Sequence, residues 1–486
     1  MYKGFETHEA IPEAASMIET FRAIGYNLET AIADIIDNSI TACANKITIQ
    51  RYWKGGASVI TIKDNGKGMT NEELIDAMRP GSQNPLADRD PKDLGRFGLG
   101  LKTASFSQCR KLTVISKKNN QVSYWTWDLD FVAQTQKWNI IHWCPEEYKN
   151  TLDDVDTGTL VIWSALDRIL PADTDERDEI SKEKFSASLQ KVRDHIAMTF
   201  HRFIEEKQIA IIWGSHEIAP WNPFCPCEKK RQSFPVDHLP GNVTITGYVL
   251  PHKHNFTSES AFHAAEGPKG WSGQQGFYVY RGKRLLLSGE WLGMFRKEES
   301  CKLARIAIDL PNNLDAEWQI DIKKSKARPP VYSKDQLEQY AKLVRKSAEE
   351  VFRHRGKILK QRAGREFHPL WLDKKKDSNW SYIINRENPL ILYLKDLATE
   401  KPTEAIDQLL LLIESNVPTK TIFINEAKDE GQNDINKVID ITEYQQTIKG
   451  LYTAFINQGK TATQAKAQLK LIEPFNMYED YIDSLS

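Results

Sequence analysis

Asn27 to Ala44, NLETAIADIIDNSITACA, constrains this chain more than any other stretch. Leu28, Ala31, Ile32, Ile35 and Ile36 recur at three- and four-residue spacing, which predicts one helix with an apolar stripe. Asn27 stands where a side-chain oxygen can accept from the first free backbone amides. Asp34 and Asn38 lie four residues apart and so share a helix face. A carboxylate and an amide stacked in this way suit hard oxygen chemistry: the amide oxygen can hold Mg²⁺ and the carboxylate can take a proton from water. Taken alone, the same pattern also fits an N-capped surface helix with its polar residues in solvent.

The chain around this helix is 486 residues long, enough for two to four domains. A hydrophobic fraction of 40% and a charged fraction of 27% are those of an ordinary globular protein. With a net charge of −1 there is no whole-chain field for nucleic acid or membrane, so any polyanion site must be a local patch. No apolar run is long enough to span a membrane, and the N-terminus lacks the apolar core of a signal peptide. Six scattered cysteines fit a reduced, cytoplasmic chain. Cys225-Pro-Cys227 has no second pair at zinc-ligand spacing and is expected to be an inert loop pair.

Pro12 to Ile24 reads as a short helix before the central one. After it, Lys46 to Trp53 and Ser58 to Lys63 read as strands, with Gly55-Gly56 making a hairpin. The second strand runs into Asp64-Asn65-Gly66-Lys67-Gly68-Met69. A carboxylate at a strand end can accept from an exocyclic amine, and two glycines let a flat ligand lie against backbone; a tight turn has the same signature. Asn71 to Met78 looks helical, and Pro80 to Asp93 is a long polar loop of the kind that forms lids. It ends in Gly95-Arg96-Phe97-Gly98-Leu99-Gly100-Leu101-Lys102, where three glycines entering a helix turn amides toward phosphate and Lys102 adds a point charge. Lys111 to Ser116, Val122 to Leu129 and Thr159 to Trp163 are further strands, and Gly158-Thr159 opens the last of them.

Asp34-x-x-x-Asn38, Asp64-x-Gly66-x-Gly68, Gly95-x-x-Gly98-x-Gly100 and Gly158-Thr159, in this order over residues 10 to 170, resemble the nucleotide-binding motifs of the GHKL ATPases. That superfamily, with the Bergerat fold, includes gyrase-type topoisomerases, ninety-kilodalton heat-shock chaperones, histidine kinases, MutL and MORC proteins. The resemblance implies a two-layer α/β sandwich with ATP between the helices and the lid. It implies Asn38 as Mg²⁺ ligand, Asp64 on the adenine amine, and Gly66, Gly68 and Met69 along the base. Gly95, Arg96, Phe97, Gly98, Leu99, Gly100 and Lys102 would hold the phosphates, and Thr159 would meet adenine through water. Hydrolytic members usually carry Glu four residues before the Asn. Here Asp34 sits one methylene further back, and a displacement of about 1 Å at a catalytic group costs on the order of 100-fold in rate. Either the site is adapted to the shorter side chain, or hydrolysis is slow and ATP acts mainly as a clamp.

Beyond residue 170, a polar helix over Asp173 to Glu206 precedes strands at Gln208 to Trp213, Asn242 to Leu250, Gly276 to Tyr280 and Leu303 to Leu310. Phe277 to Leu287 and Trp318 to Lys326 resemble parts of the transducer domain of MutL and gyrase-like proteins. In those families a lysine from this loop reaches the γ-phosphate; Lys326 aligns best, with Lys324 and Lys323 as rivals. A solvated basic loop would look the same. Lys334 to Gly364 should be a long helix, and the basic stretch from 342 to 376 has the charge to track nucleic-acid phosphates or simply to face solvent.

The expected organisation is a GHKL ATP-binding domain over 1–170, a transducer-like α/β domain over 171–332, a basic helix over 333–366 and a mainly helical interaction domain over 367–486. The corresponding function is a Mg²⁺-dependent ATPase acting as an ATP-gated homodimeric clamp, on DNA through 342–376 and with a protein partner on the C-terminal domain, in a MORC- or MutL-like role such as bacterial genome defence. A chaperone-like ATPase with a protein client is the alternative. A histidine kinase fits poorly, since the nucleotide motifs begin at residue 27 and a transducer-like region follows.

Overall fold

The computed structural model describes residues 12–23, 25–81, 100–321, 324 and 327–353, with residues 5 and 8, and in the C-terminal part residues 368, 371–376, 379–389, 391–392, 406–407, 410–411, 414, 441–473, 475 and 478–485. The chain divides into two compact units, Met1–Phe352 and Arg353–Ser486.

The first unit holds two mixed sheets. In the first the strand order is β4-β3-β5-β2-β1-β6-β7, with β1 (Lys46–Tyr52), β2 (Val59–Asp64), β3 (Lys111–Lys118), β4 (Gln121–Asp128), β5 (Gly158–Ser164), β6 (Ala210–Trp213) and β7 (His216–Glu217). Every pair is antiparallel except β1 with β6. Successive strand side chains point to opposite faces, so Ile60, Ile62, Val161 and Trp163 enter the main core while Val59, Leu160 and Ile162 enter a smaller one with Ile115, Cys144 and Leu152. The main core is roofed by helices α1 (Ala14–Arg22), α2 (Leu28–Thr41), α3 (Asn71–Met78), α4 (Gly100–Phe106), α5 (Leu129–Thr135) and α6 (Glu179–Thr199). This is the expected two-layer α/β sandwich. It draws more chain than the first 170 residues: the stripe Phe185, Leu189, Val192, Ile196 on α6 packs into this core, and β6 and β7 complete this sheet rather than the second.

Helix α2 is not a surface helix. Asn27 caps it, its side chain accepting from the Thr30 amide at 2.9 Å, and the expected stripe is buried. Asp34, Asp37 and Ser39 are buried too, while Asn38 stays exposed. Polar groups taken from water must find partners, and theirs are Tyr26 before the helix, Asp64 on β2, and Arg284 and Lys324 from later in the unit.

That second sheet has the order β12-β11-β13-β10-β8, with β9 paired to β10: β8 (Gln232–Ser233), β9 (Asp237–Leu239), β10 (Val243–Val249), β11 (Gly276–Arg281), β12 (Arg284–Glu290) and β13 (Ala304–Leu310). Its face is covered by the helix Val331–Arg353, whose Leu337, Tyr340, Ala341, Val344, Ala348 and Val351 are buried there. The long helix expected over 333–366 is therefore a packing element of the second sheet through residue 353; residues 354 to 367 lie outside the described residues.

In the second unit, helices Ile441–Asn457, Ala462–Leu469 and Glu479–Asp483 enclose a core of Ile448, Leu451, Phe455, Leu469, Ile472, Phe475 and Ile482. The region is mainly helical, as its sequence implies, with one addition: Trp371–Lys376 and Asn379–Ile384 form an antiparallel hairpin. The alternating aromatic and β-branched residues of NWSYII carry that strand preference. Among the described residues, no helix is long and apolar enough to cross a membrane, and the six cysteines are unpaired.

Candidate functional site

The site gathers where α2 passes the C-terminal end of β2. Asp64 closes β2 and is buried; its Oδ2 accepts from Ser39 Oγ on α2 at 2.8 Å and its Oδ1 from the Gly66 amide at 2.9 Å. Burial pushes its carboxyl up, against the opposing pull of the Gly66 amide, the Ser39 hydroxyl and the Thr159 amide. Thr159, paired with Asp64 across β2 and β5, lies 3.1 Å from Ser116 through its hydroxyl, and Ser116 Oγ accepts from the Met69 amide at 2.9 Å. These bonds tie the Asp64 turn to the strand that carries Thr159. Gly68 has φ of +62°, and a Cβ there would lie 2.0 Å from the Lys117 carbonyl oxygen, so the turn closes only with glycine. At Gly66 a Cβ would lie 2.8 Å from the Ala42 oxygen.

One turn along α2 from the exposed Asn38, Asp34 is held on both sides. Tyr26 Oη donates to its Oδ2 at 2.8 Å, and Lys324 Nζ donates to its Oδ1 at 3.1 Å. Burial, then the Asp34 charge, push the Tyr26 phenol far above its ordinary value, so it remains a donor. Asp37, three residues on, accepts from Arg284 Nε at 3.1 and 3.0 Å and from Lys324 Nζ. Burial alone would raise the Asp37 carboxyl; the Arg284 and Lys324 charges beside it prevail and hold it below the usual carboxylate range. Arg284 opens β12 and Lys324 lies in the loop before Ala327, so both cations come from the second sheet's side of the unit.

The structure thus brings Asp34, Asn38, Asp64, Gly66, Gly68, Met69 and Thr159 into one region, with Lys324 bonded to Asp34 and Asp37. Lys326 and Lys323 lie outside the described residues, as do Gly95, Arg96, Phe97, Gly98 and Leu99. Gly100 begins α4 at 3.7 Å from Asp34 Oδ2, measured from where a Cβ would stand. Lys102 is buried, its amine donating to the Ala77 carbonyl at 2.9 Å, and burial pushes its ammonium down to about 8. Tyr26, Asp37, Ser39, Ser116 and Arg284 were not singled out from sequence. Asp37 and Ser39 flank Asn38 within the motif, which is the one local signal pointing to them.

The residues fit a magnesium nucleotide. Mg²⁺ keeps several waters and takes few protein oxygens, which matches a lone exposed amide at Asn38. The buried, donor-held Asp64 keeps oxygen lone pairs for an amine.

Residues 26–159 match the family model described as histidine kinase-, DNA gyrase B-, and HSP90-like ATPase. Over 100 residues the chain is 36% identical to the DNA mismatch repair protein MutL of Haemophilus influenzae strain PittEE, covering 20% of this chain and 15% of that protein. It is 34% identical over 98 residues to MutL of Shewanella sediminis, and 31% identical over 99 residues to MutL of Aeromonas salmonicida, covering 20% of this chain and 16% of each relative. Residues 26–159 thus carry a GHKL-type ATPase domain, and the chain is similar over 100 residues to a MutL protein. It spans only about a sixth of the length of these curated relatives.

Proposed function

We propose that this chain binds Mg²⁺-ATP between α2 and the β2 end and hydrolyses it, using the nucleotide to gate a homodimeric clamp on DNA. Asp64 accepts from the adenine amine, Gly66, Gly68 and Met69 flank the base, and Thr159 reaches it through water. Gly95, Arg96, Phe97, Gly98, Leu99 and Gly100 would hold the phosphates by their place in the family motif, and Lys102 would join them by leaving the Ala77 carbonyl. Asn38 would hold Mg²⁺, which would neutralise phosphate charge there. Asp34 takes the proton of the attacking water as the γ-phosphorus bond to its bridging oxygen breaks and ADP leaves. The nucleotide unit comprises the first sheet through β7, followed by a transducer-like second sheet with the helix 331–353 and a C-terminal interaction unit. A cytoplasmic location and a role in genome defence belong to the same reading.

One observation carries the gating: Lys324, from beyond the second sheet, sits on the carboxylate assigned as base. A cation delivered from another layer and able to exchange Asp34 for a γ-phosphate links nucleotide state to domain arrangement. We assign it, rather than Lys326, as the sensing lysine. The test is ATP turnover with Mg²⁺, with and without double-stranded DNA, at two salt concentrations. Stimulation that fades with salt supports a clamp on DNA, because phosphate contacts release counterions. Turnover indifferent to DNA redirects the clamp to a protein client.

A further inference from the structure

Two carboxylates three residues apart on one buried helix repel each other, and burying each costs more than it returns unless it is paired. Asp34 and Asp37 are 3% and 1% exposed, and their counter-charges are Lys324 and Arg284, 8% and 4% exposed. The two cations are built differently. Lys324 is a compact charge on a flexible stem, bonded to both acids. Arg284 is fixed: it directly follows the turn Gly282-Lys283, both at positive φ, its Nε grips both Asp37 oxygens, and its Nη1 donates to the Leu285 carbonyl at 3.1 Å. Its Nη2 also stands 3.7 Å from Asp34 Oδ1. If Lys324 moves to a γ-phosphate, Arg284 is the cation that remains with Asp34 and Asp37 among the described residues, and it already faces both.

We infer that Arg284 is the positioning residue of the hydrolytic centre, anchoring α2 through Asp37 and standing as counter-charge to Asp34 when Lys324 leaves it. The inference rests on the reading of Asp34 as base and Lys324 as sensor. In the structure the Lys324 ammonium fills the acceptor side of Asp34 Oδ1. Once it departs, that oxygen is open to water while Tyr26 keeps its hold on Oδ2. Arg284 keeps the helix from shifting during the exchange.

The test uses the full chain with Asp34→Ala, Arg284→Met and Arg284→Lys, measuring kcat with Mg²⁺-ATP and Kd with a non-hydrolysable ATP analogue. Asp34→Ala should bind and not turn over. Arg284→Met should lower kcat about tenfold or more, as a misplaced reacting group does, with Kd within about threefold of the wild type. Arg284→Lys restores the charge without the two-point grip, so its kcat should fall between the two. Equal kcat in wild type, Arg284→Lys and Arg284→Met overturns the inference, as does a fall of kcat and Kd affinity in step. If Arg284→Met does not fold, Arg284→Lys decides: reduced kcat at unchanged Kd supports the role and wild-type kcat overturns it. Wild-type turnover in Asp34→Ala removes the reading of the base itself, a result distinct from a silent Arg284.

Discussion

Asp64 is a carboxylate kept from water and still furnished with donors, the state in which it accepts most strongly from a ligand amine. Asn at this position presents one oxygen and one NH₂ group, so a donor must face either the Gly66 amide, the Ser39 hydroxyl or the adenine amine. A hydrogen bond to a charged group contributes about 1.5–3 kcal/mol, and Asp64→Asn is expected to weaken ATP binding at least tenfold by calorimetric titration. Unchanged affinity would remove Asp64 from the adenine site. Its raised carboxyl adds a pH signature. The acid protonates at a higher pH than an ordinary carboxylate, so ATP affinity should decline on acidification before pH reaches about 4. That Asp34, Asn38, Asp64, Gly66 and Gly68 gather near one another was legible in the sequence, because helix spacing and strand-end glycines are local patterns. Arg284 was not, since it meets Asp37 across 247 residues of chain and nothing in RGKR says what lies opposite. Lys324 could not be separated from Lys323 and Lys326 for the same reason: a run of lysines carries charge but no direction.

At the scale of elements, α2 is fastened to the second sheet by charge and the helix 331–353 is fastened to that sheet by close packing. The first fastening titrates. Asp37 has its carboxyl held below the ordinary value in the folded chain, so the stability it contributes is present above the unfolded-state value of about 4 and is lost as pH falls through the lower folded value. Melting temperature followed from pH 6 downward should therefore drop below pH 4, and a flat profile there would argue against a charged clasp. The second fastening depends on Gly247 in β10, whose added Cβ would lie 2.5 Å from Val344 Cγ2 and 3.1 Å from the Tyr340 ring. Gly247→Ala should destabilise the first unit by about 1–3 kcal/mol through overpacking, measured by denaturant melts, while the ATP site on α2 keeps its affinity. The longer strands and helices were readable because they alternate or repeat cleanly, whereas the two- and three-residue strands β8 and β9 and the hairpin Trp371–Ile384 were not. Membership of β6 and α6 in the first sheet layer was not, because which sheet a four-residue strand joins is set by its parallel pairing with β1, a contact without local trace.

Across the whole molecule, the proposed sensing role gives Lys324 two sets of partners, the α2 carboxylates and a γ-phosphate, and each has a measurable consequence. In the structure it neutralises Asp34 and Asp37. Removing one member of a buried charge cluster costs about 3–5 kcal/mol, because the carboxylates left behind stay buried. Lys324→Ala should therefore lower the melting temperature of the nucleotide-free protein. On the proposed reading the same substitution would remove the link between γ-phosphate and second sheet, so the nucleotide would bind without transmitting its presence. Sedimentation velocity with Mg²⁺ and a non-hydrolysable ATP analogue should show the wild type as dimer and Lys324→Ala as monomer, with ATP affinity much less affected than assembly. A Lys324→Ala dimer under those conditions would place the sensing charge elsewhere, and Lys326 would be the first substitution to make next. A monomeric wild type with bound analogue would instead remove ATP-driven dimerisation, leaving the melting shift to report on the buried cluster alone.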